Sequence, residues 1–87
     1  MLDIKVLGTD RVNCDKLEQV TIHAADYLGL EAQVTRVTDD SEIIEYEIQS
    51  TPGLVIDGKA VCSGRVPSMA EITTWLADAA LESNQDE

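Results

Sequence analysis

The nine residues from Thr51 to Lys59, Thr-Pro-Gly-Leu-Val-Ile-Asp-Gly-Lys, contain a chain break, a strand and a turn. Pro52 followed by Gly53 ends any preceding helix. Residues 54–56 are a continuous apolar run, which is typical of a strand covered on both faces. Asp57-Gly58 is a strong hairpin signal and predicts an antiparallel partner strand through residues 60–62. Together these signals indicate a buried strand in a sheet that is covered on both sides.

A strand, a helix and a second strand are predicted before this hairpin. Residues 2–7 place apolar side chains at alternate positions, as a strand does. Residues 13–28 predict a helix, with Asn13 as its N-cap and Gly29 just beyond its end. Residues 31–37 are rich in β-branched side chains and predict the second strand. A βαβ unit of this kind makes its two strands parallel, right-handed neighbours.

The first helix has one apolar stripe, and Cys14 belongs to it. At 100° per residue the stripe is about 100° wide, and it contains Cys14, Leu17, Thr21, Ala24, Ala25 and Leu28. His23 lies on the opposite side of the helix, about 180° from Cys14. We therefore expect Cys14 to face the core and His23 to be a solvated surface residue.

Two capping boxes predict the remaining helices. Asp39 with Glu42 opens a short helix that extends through Ile43, Ile44 and Tyr46. Ser68 with Glu71 opens the last helix, in which Trp75 lies on the flank of the apolar stripe as a packing residue.

The order of predicted elements is β-α-β-α-β-β-α, with no internal repeat and no linker. It predicts an α/β protein with a four-stranded mixed sheet flanked by helices. We expect residues 1–82 to form a single domain and residues 83–87 to be an acidic, disordered tail.

Composition limits the function. The 87 residues carry 17 acidic and 6 basic side chains, a formal net charge of −11. Such a charge repels phosphate backbones and anionic lipid, so we expect neither a nucleic-acid partner nor a membrane partner. The chain start lacks the features of a signal peptide, which favours a cytoplasmic protein. Two cysteines and one outward histidine do not make a metal site, and no nucleotide-binding motif predicts a cofactor.

Four segments in a fixed order carry a resemblance to a known family. They are Gly8–Cys14, Ser50–Pro52, Asp57–Lys59 and Gly64–Ser68. Together they resemble the small thioredoxin-like, glutaredoxin-like redox proteins of archaea and bacteria, over roughly residues 2 to 80. The resemblance implies a thioredoxin-like fold, thiol–disulfide chemistry and a cis-proline at Pro52 beside the active site.

The chain departs from that family at the first position of its Cys-x-x-Cys motif. Residues 11–14 read Arg-Val-Asn-Cys, so Arg11 replaces the first cysteine and Cys14 keeps the second. In this chemistry the first thiol attacks, because a helix N-terminus lowers its pKa, and the more buried second thiol resolves the mixed disulfide. The resemblance therefore implies Cys14 as the one catalytic candidate in a degenerate site. Ordinary dithiol exchange cannot run there.

The family topology also implies a group of binding residues. It brings Arg11, Thr51 and Arg65 around one shallow pocket, together with Asn13, Pro52 and Gly64. Free N–H groups at the start of the first helix would add a partial positive charge. This arrangement suggests an anion or carboxylate site that accepts a peptide C-terminus or glutathione. The alternative is that Arg65 braces its own loop and Arg11 extends into solvent.

Three functions stay open at this point. The first is a redox protein that uses Cys14 with Cys62, or with a protein thiol or disulfide of a partner. The second is a peptide- or protein-binding module that has lost the dithiol cycle. The third is a homodimer with a structural role. A simpler interpretation of the two cysteines is that both are small core residues.

Overall fold

The computed structural model describes residues 2–48 and 50–85, with side chains through residue 81. Seven helices and strands follow one another in the predicted order β-α-β-α-β-β-α. They are β1 (Leu2–Leu7), α1 (Arg11–Leu28), β2 (Ala32–Val37), α2 (Asp40–Glu45), β3 (Gly53–Ile56), β4 (Lys59–Ser63) and α3 (Met69–Gln85).

The four strands form one mixed sheet in the order β2-β1-β3-β4. Strand β1 runs parallel to β2 and antiparallel to β3, and β3 runs antiparallel to β4. Leu7 pairs with Gly53, which pairs with Ser63, so the end of β1, the start of β3 and the end of β4 share one edge. The predicted mixed sheet and the predicted strand directions are confirmed.

Apolar side chains cover both faces of the sheet. The larger cluster joins β1 and β3 to α1 and α3 and consists of Leu2, Ile4, Val6, Cys14, Leu17, Ala24, Ala25, Leu54, Ile56, Ile72 and Leu76. The smaller cluster joins the other face to α2 and consists of Leu7, Val37, Ile43 and Val55. Strand β3 contributes to both clusters and is buried along its whole length. The prediction from residues 54–56 is therefore confirmed.

The turn after β3 has the geometry that its sequence indicates. Asp57 and Gly58 have φ values of 50° and 83°. Positive φ at both central residues is the type I′ turn, whose twist matches the twist of the flanking strands.

Helix α1 begins two residues earlier than the sequence predicts, so the assignment of Asn13 as its N-cap is wrong. Asp10 is the N-cap, and its carboxylate accepts hydrogen bonds from the backbone N–H groups of Val12 and Asn13. Residues 11 and 12 carry no core-facing pattern, which explains why periodicity placed the start too late. A carboxylate also suits the positive end of the helix dipole.

The other helix ends differ in smaller ways. Helix α2 ends at Glu45, with Tyr46 as its C-cap rather than inside it. Helix α3 continues through Gln85, so residues 83–85 of the predicted tail have helical backbone, and residues 86–87 lie outside the described residues. Among the described helices, none is both long enough and apolar enough to cross a membrane.

Candidate functional site

Four residues from the segments that carry the family resemblance, Gly8, Cys14, Thr51 and Pro52, meet where β1 ends and β3 begins. Gly8 lies at their centre: a Cβ atom at this position would be 2.9 Å from Cys14 Sγ and 3.4 Å from Thr51 Cβ. The same atom would be 3.7 Å from the Cα of Pro52. The missing side chain of Gly8 therefore allows α1 and the segment before β3 to approach each other. The peptide bond between Thr51 and Pro52 is cis.

Cys14 is a core residue at the edge of this site. Only 1% of its surface is exposed, and it packs in the larger apolar cluster, as the helical stripe predicts. Burial raises the pKa of its thiol, Arg36 opposes this increase, and Asp10, Asp15 and Glu18 add to it. Since the thiolate is the nucleophile in disulfide exchange, Cys14 is a weak attacking group at neutral pH.

Arg11 occupies the exposed first position of α1. It lines a pocket of about 370 Å³ together with Gly8, Thr9, Asp10, Cys14, Arg36 and Thr38. The Asp10 carboxylate lies on the first N–H groups of the helix, at 3.0 Å from the Val12 nitrogen, and also accepts from the Asn13 side-chain amide at 2.8 Å. The helix N-terminus, which stabilises a thiolate in Cys-x-x-Cys chemistry, thus carries a fixed negative charge. This charge opposes the formation of a thiolate there.

Arg36 is a residue of the pocket that the sequence analysis missed. Its guanidinium donates to Asp15 Oδ1 at 2.6 Å and to Glu18 Oε2 at 2.7 Å, which links β2 to α1. The available signal was strand alternation, because Arg36 shares a sheet face with Val34, which packs against the cluster beneath α1. Both carboxylates raise the pKa of Arg36.

Arg65 does not line the pocket that contains Arg11. It makes two hydrogen bonds to the Glu71 carboxylate, at 2.9 and 2.6 Å, and so connects the loop after β4 to the first turn of α3. This is the loop-bracing arrangement considered as the alternative. Gly64 does lie beside the site, because its backbone N–H donates to the Pro52 carbonyl at 2.9 Å.

The expected anion site has few free donors. Asp10 caps the helix N-terminus, Glu71 pairs with Arg65, and Asp15 with Glu18 pairs with Arg36. In the part of the chain that the structure describes, Arg11 is the one arginine of the three outside an ion pair. Internal carboxylates therefore already neutralise most of the positive charge that an anion would need.

The second cysteine, Cys62, forms no disulfide with Cys14, and both thiols are free. Cys62 is half-buried beside the larger cluster, with its sulfur 3.9 Å from the carbonyl oxygen of Arg65. His23 is exposed, as predicted. Across residues 2–48 and 50–81, no cluster of three His, Cys, Asp or Glu side chains has the geometry of a metal site.

A four-stranded mixed sheet with helices on both faces is the architecture of a thioredoxin-like protein. Residues 2–77 match the thioredoxin domain family, and on this match the chain belongs to that family.

Two curated relatives agree with this assignment. The chain is 35% identical over 77 residues to a thioredoxin of Methanothermobacter thermautotrophicus, which covers 88% of this chain and all of the relative. It is 35% identical over 72 residues to a thioredoxin of Methanocaldococcus jannaschii, which covers 83% of each chain.

A solved Nu-class GST from Haemonchus contortus superimposes on 90% of this chain with 22% identity and a TM-score of 0.46. The chain spans 36% of the length of that protein.

Proposed function

We propose that this chain is a thioredoxin-family protein with a degenerate active site, in which the ordinary dithiol exchange is lost. The observation that carries the proposal is the pair Arg11 and Cys14. Arginine stands at the exposed first position of α1, and the remaining thiol is 1% exposed with a raised pKa. The site has the position of a dithiol centre and lacks its attacking group.

Electron counting supports the same conclusion. Reduction of a disulfide takes two electrons, which a dithiol supplies by forming its own disulfide. A single thiol stops at a mixed disulfide, with one substrate thiol released. A second thiol must then attack the mixed disulfide to regenerate the free cysteine. Cys62 is a free thiol in the same chain, so the second thiol would come either from Cys62 or from a partner.

Insulin reduction in the presence of dithiothreitol tests the proposal. The wild-type chain and the matched control Arg11→Ser should both remain at the dithiothreitol background. Arg11→Cys should exceed that background, because the introduced thiol lies exposed at the helix N-terminus with Cys14 behind it as the resolving group. Wild-type activity that disappears in Cys14→Ser would show a redox-active site and would contradict the proposal.

A peptide-binding module is the second candidate function. Pro52 is buried, has no N–H, and its carbonyl accepts the N–H of Gly64, so exposed Thr51 offers the accessible main chain just before β3. An extended peptide can pair with such a segment through main-chain hydrogen bonds. Binding of the reduced insulin B chain that survives in Cys14→Ser supports this function. For the redox function we propose a protein thiol or disulfide as the partner. For the binding function we propose a peptide or a second copy of the chain.

A further inference from the structure

A second cavity, of about 230 Å³, lies at the other end of β3 from Cys14. The β3–β4 hairpin and helix α3 form its walls. Ile56 pairs with Lys59 next to the hairpin turn, whereas Gly53 pairs with Ser63 at the Cys14 end. The two ends of β3 are about 10 Å apart at 3.3 Å per residue, and the two cavities share no lining residue.

The floor of this cavity is apolar and is anchored in the core. Ile56 is buried, and Val61 and Ala79 are half-buried against the larger cluster. Trp75 also packs against that cluster and presents its indole to the cavity. Because core packing holds these side chains, the cavity exists before any ligand arrives.

Three charged side chains complete the lining. They are Asp57 and Lys59 on the hairpin and Asp78 on α3. Among the described residues, none of the three takes part in an ion pair. Asp57 Oδ1 accepts the backbone N–H of Asp3 at 2.9 Å, which orients its carboxylate. At the Cys14 end, by contrast, internal partners hold the carboxylates and two of the arginines.

We propose that this cavity binds a small zwitterion, a free α-amino acid with an apolar or aromatic side chain. The α-ammonium group lies between the carboxylates of Asp57 and Asp78, and the α-carboxylate pairs with Lys59. The side chain of the ligand packs on the indole of Trp75 and on the apolar floor. In this assignment both carboxylates of the lining face the ammonium group of the ligand, and Lys59 faces its carboxylate.

The size of the cavity agrees with a single amino acid. The cavity has a volume of about 230 Å³. Sites for drug-sized ligands start at about 300 Å³. The cavity is therefore large enough for one residue-sized molecule.

Trp75 reports on the site directly, because it is the only tryptophan in the chain. L-phenylalanine should shift its emission and the amide resonances of residues 57–61 and 75–79. Phenethylamine lacks the carboxylate and 3-phenylpropionate lacks the ammonium group, so each should bind at least tenfold more weakly. Lys59→Gln and Asp78→Asn should each weaken phenylalanine binding by about tenfold, while the matched surface control Lys16→Gln should not.

Two results would overturn the assignment. One is the absence of any shift with millimolar phenylalanine. The other is equal binding of phenethylamine and phenylalanine, which would show that Lys59 plays no part. Neither readout involves Cys14, so failure of this site leaves the proposed loss of dithiol exchange unaffected.

Discussion

Cys14 and Arg36 line the same pocket, yet the guanidinium does little to stabilise a thiolate. Arg36 lowers the pKa of the thiol, but its charge is shared with Asp15 and Glu18, which act in the opposite direction. Burial is the largest cause of the raised pKa of Cys14, and the two carboxylates add to it as well as joining β2 to α1.

Removing those carboxylates should lower the pKa of Cys14. In a Cys62→Ser background, Asp15→Asn combined with Glu18→Gln leaves the positive charge of Arg36 unopposed near the thiol. Thiolate absorbance should then appear at lower pH than in the parent chain. Arg36→Met is the opposite control: because Arg36 lowers the pKa of Cys14, its removal should raise that pKa. An unchanged midpoint in both variants would show that burial alone sets the pKa.

The capping box of Ser68 and Glu71 fixes where helix α3 begins. Ser68 and Glu71 cap each other reciprocally: the Ser68 N–H donates to Glu71 Oε1 at 3.2 Å, and the Glu71 N–H donates to Ser68 Oγ at 3.3 Å. Arg65 adds its two hydrogen bonds to the same carboxylate. Together they lower the pKa of Glu71 to about 2, and they fix the loop that follows β4.

The lowered pKa of Glu71 determines how the stability that this residue contributes changes with pH. A lowered pKa in the folded state stabilises the protein above the ordinary pKa of 4.5, and the gain is lost as the pH falls towards 2. The Tm difference between wild type and Glu71→Gln should therefore be largest above pH 5 and should shrink below it. Because the pair is exposed, we expect a modest difference.

Ser68→Ala provides the control for the cap itself. Loss of an N-cap costs about 1 kcal/mol, which lowers the Tm of a domain of this size by about 4–8 °C. Part of that loss should persist at acid pH, where Glu71 is neutral. A Tm difference for Glu71→Gln that stays constant from pH 7 to pH 2 would rule out the proposed role of its charge.

The whole molecule carries a net charge of −11 within extents of 35 × 23 × 17 Å. The Debye length is about 30 Å at 0.01 M salt and about 10 Å at 0.1 M. At low salt every carboxylate therefore interacts with most of the others, and this repulsion opposes the folded state.

Moderate salt should stabilise the protein. Thermal unfolding followed by circular dichroism should give a Tm that rises between 0.01 and 0.2 M NaCl, because screening weakens the repulsion between carboxylates. A neutral osmolyte of the same osmolality is the control for a change in water activity. A Tm that falls over this range would mean that ion pairs such as Arg36 with Glu18 outweigh the repulsion.

Much of the architecture could be predicted because its causes are local. The apolar run at residues 54–56, the Asp57-Gly58 turn and the Ser68–Glu71 capping box each act within a few residues, and all three are present in the structure. The position of Cys14 followed from helical periodicity. The start of α1 was less predictable, because an N-cap carboxylate at Asp10 leaves no periodic pattern.

The composition of the candidate site was only partly predictable, because its contacts join distant parts of the chain. Sequence reasoning selected Arg11 and Arg65, whereas the parallel register of β1 and β2 pairs Arg36 with Val6 and places it in the pocket that Arg11 also lines. Arg65 instead turns to Glu71, six residues away. Which carboxylate an arginine meets depends on strand register and helix placement, and residue spacing does not reveal these.

By itself, the amino-acid sequence determined the order of elements, the core-facing position of Cys14 and the presence of arginine at position 11. These properties depend on local periodicity, turn chemistry and residue identity. Only the tertiary structure decided that Arg36 joins the pocket, that carboxylates neutralise Arg36 and Arg65, and that Trp75 lines a cavity closed by the hairpin. The Arg36 ion pairs and the Trp75 cavity depend on contacts between residues distant in the chain, and the Arg65–Glu71 pair depends on how the loop after β4 meets α3. These contacts exist only once the sheet and its helices have packed together.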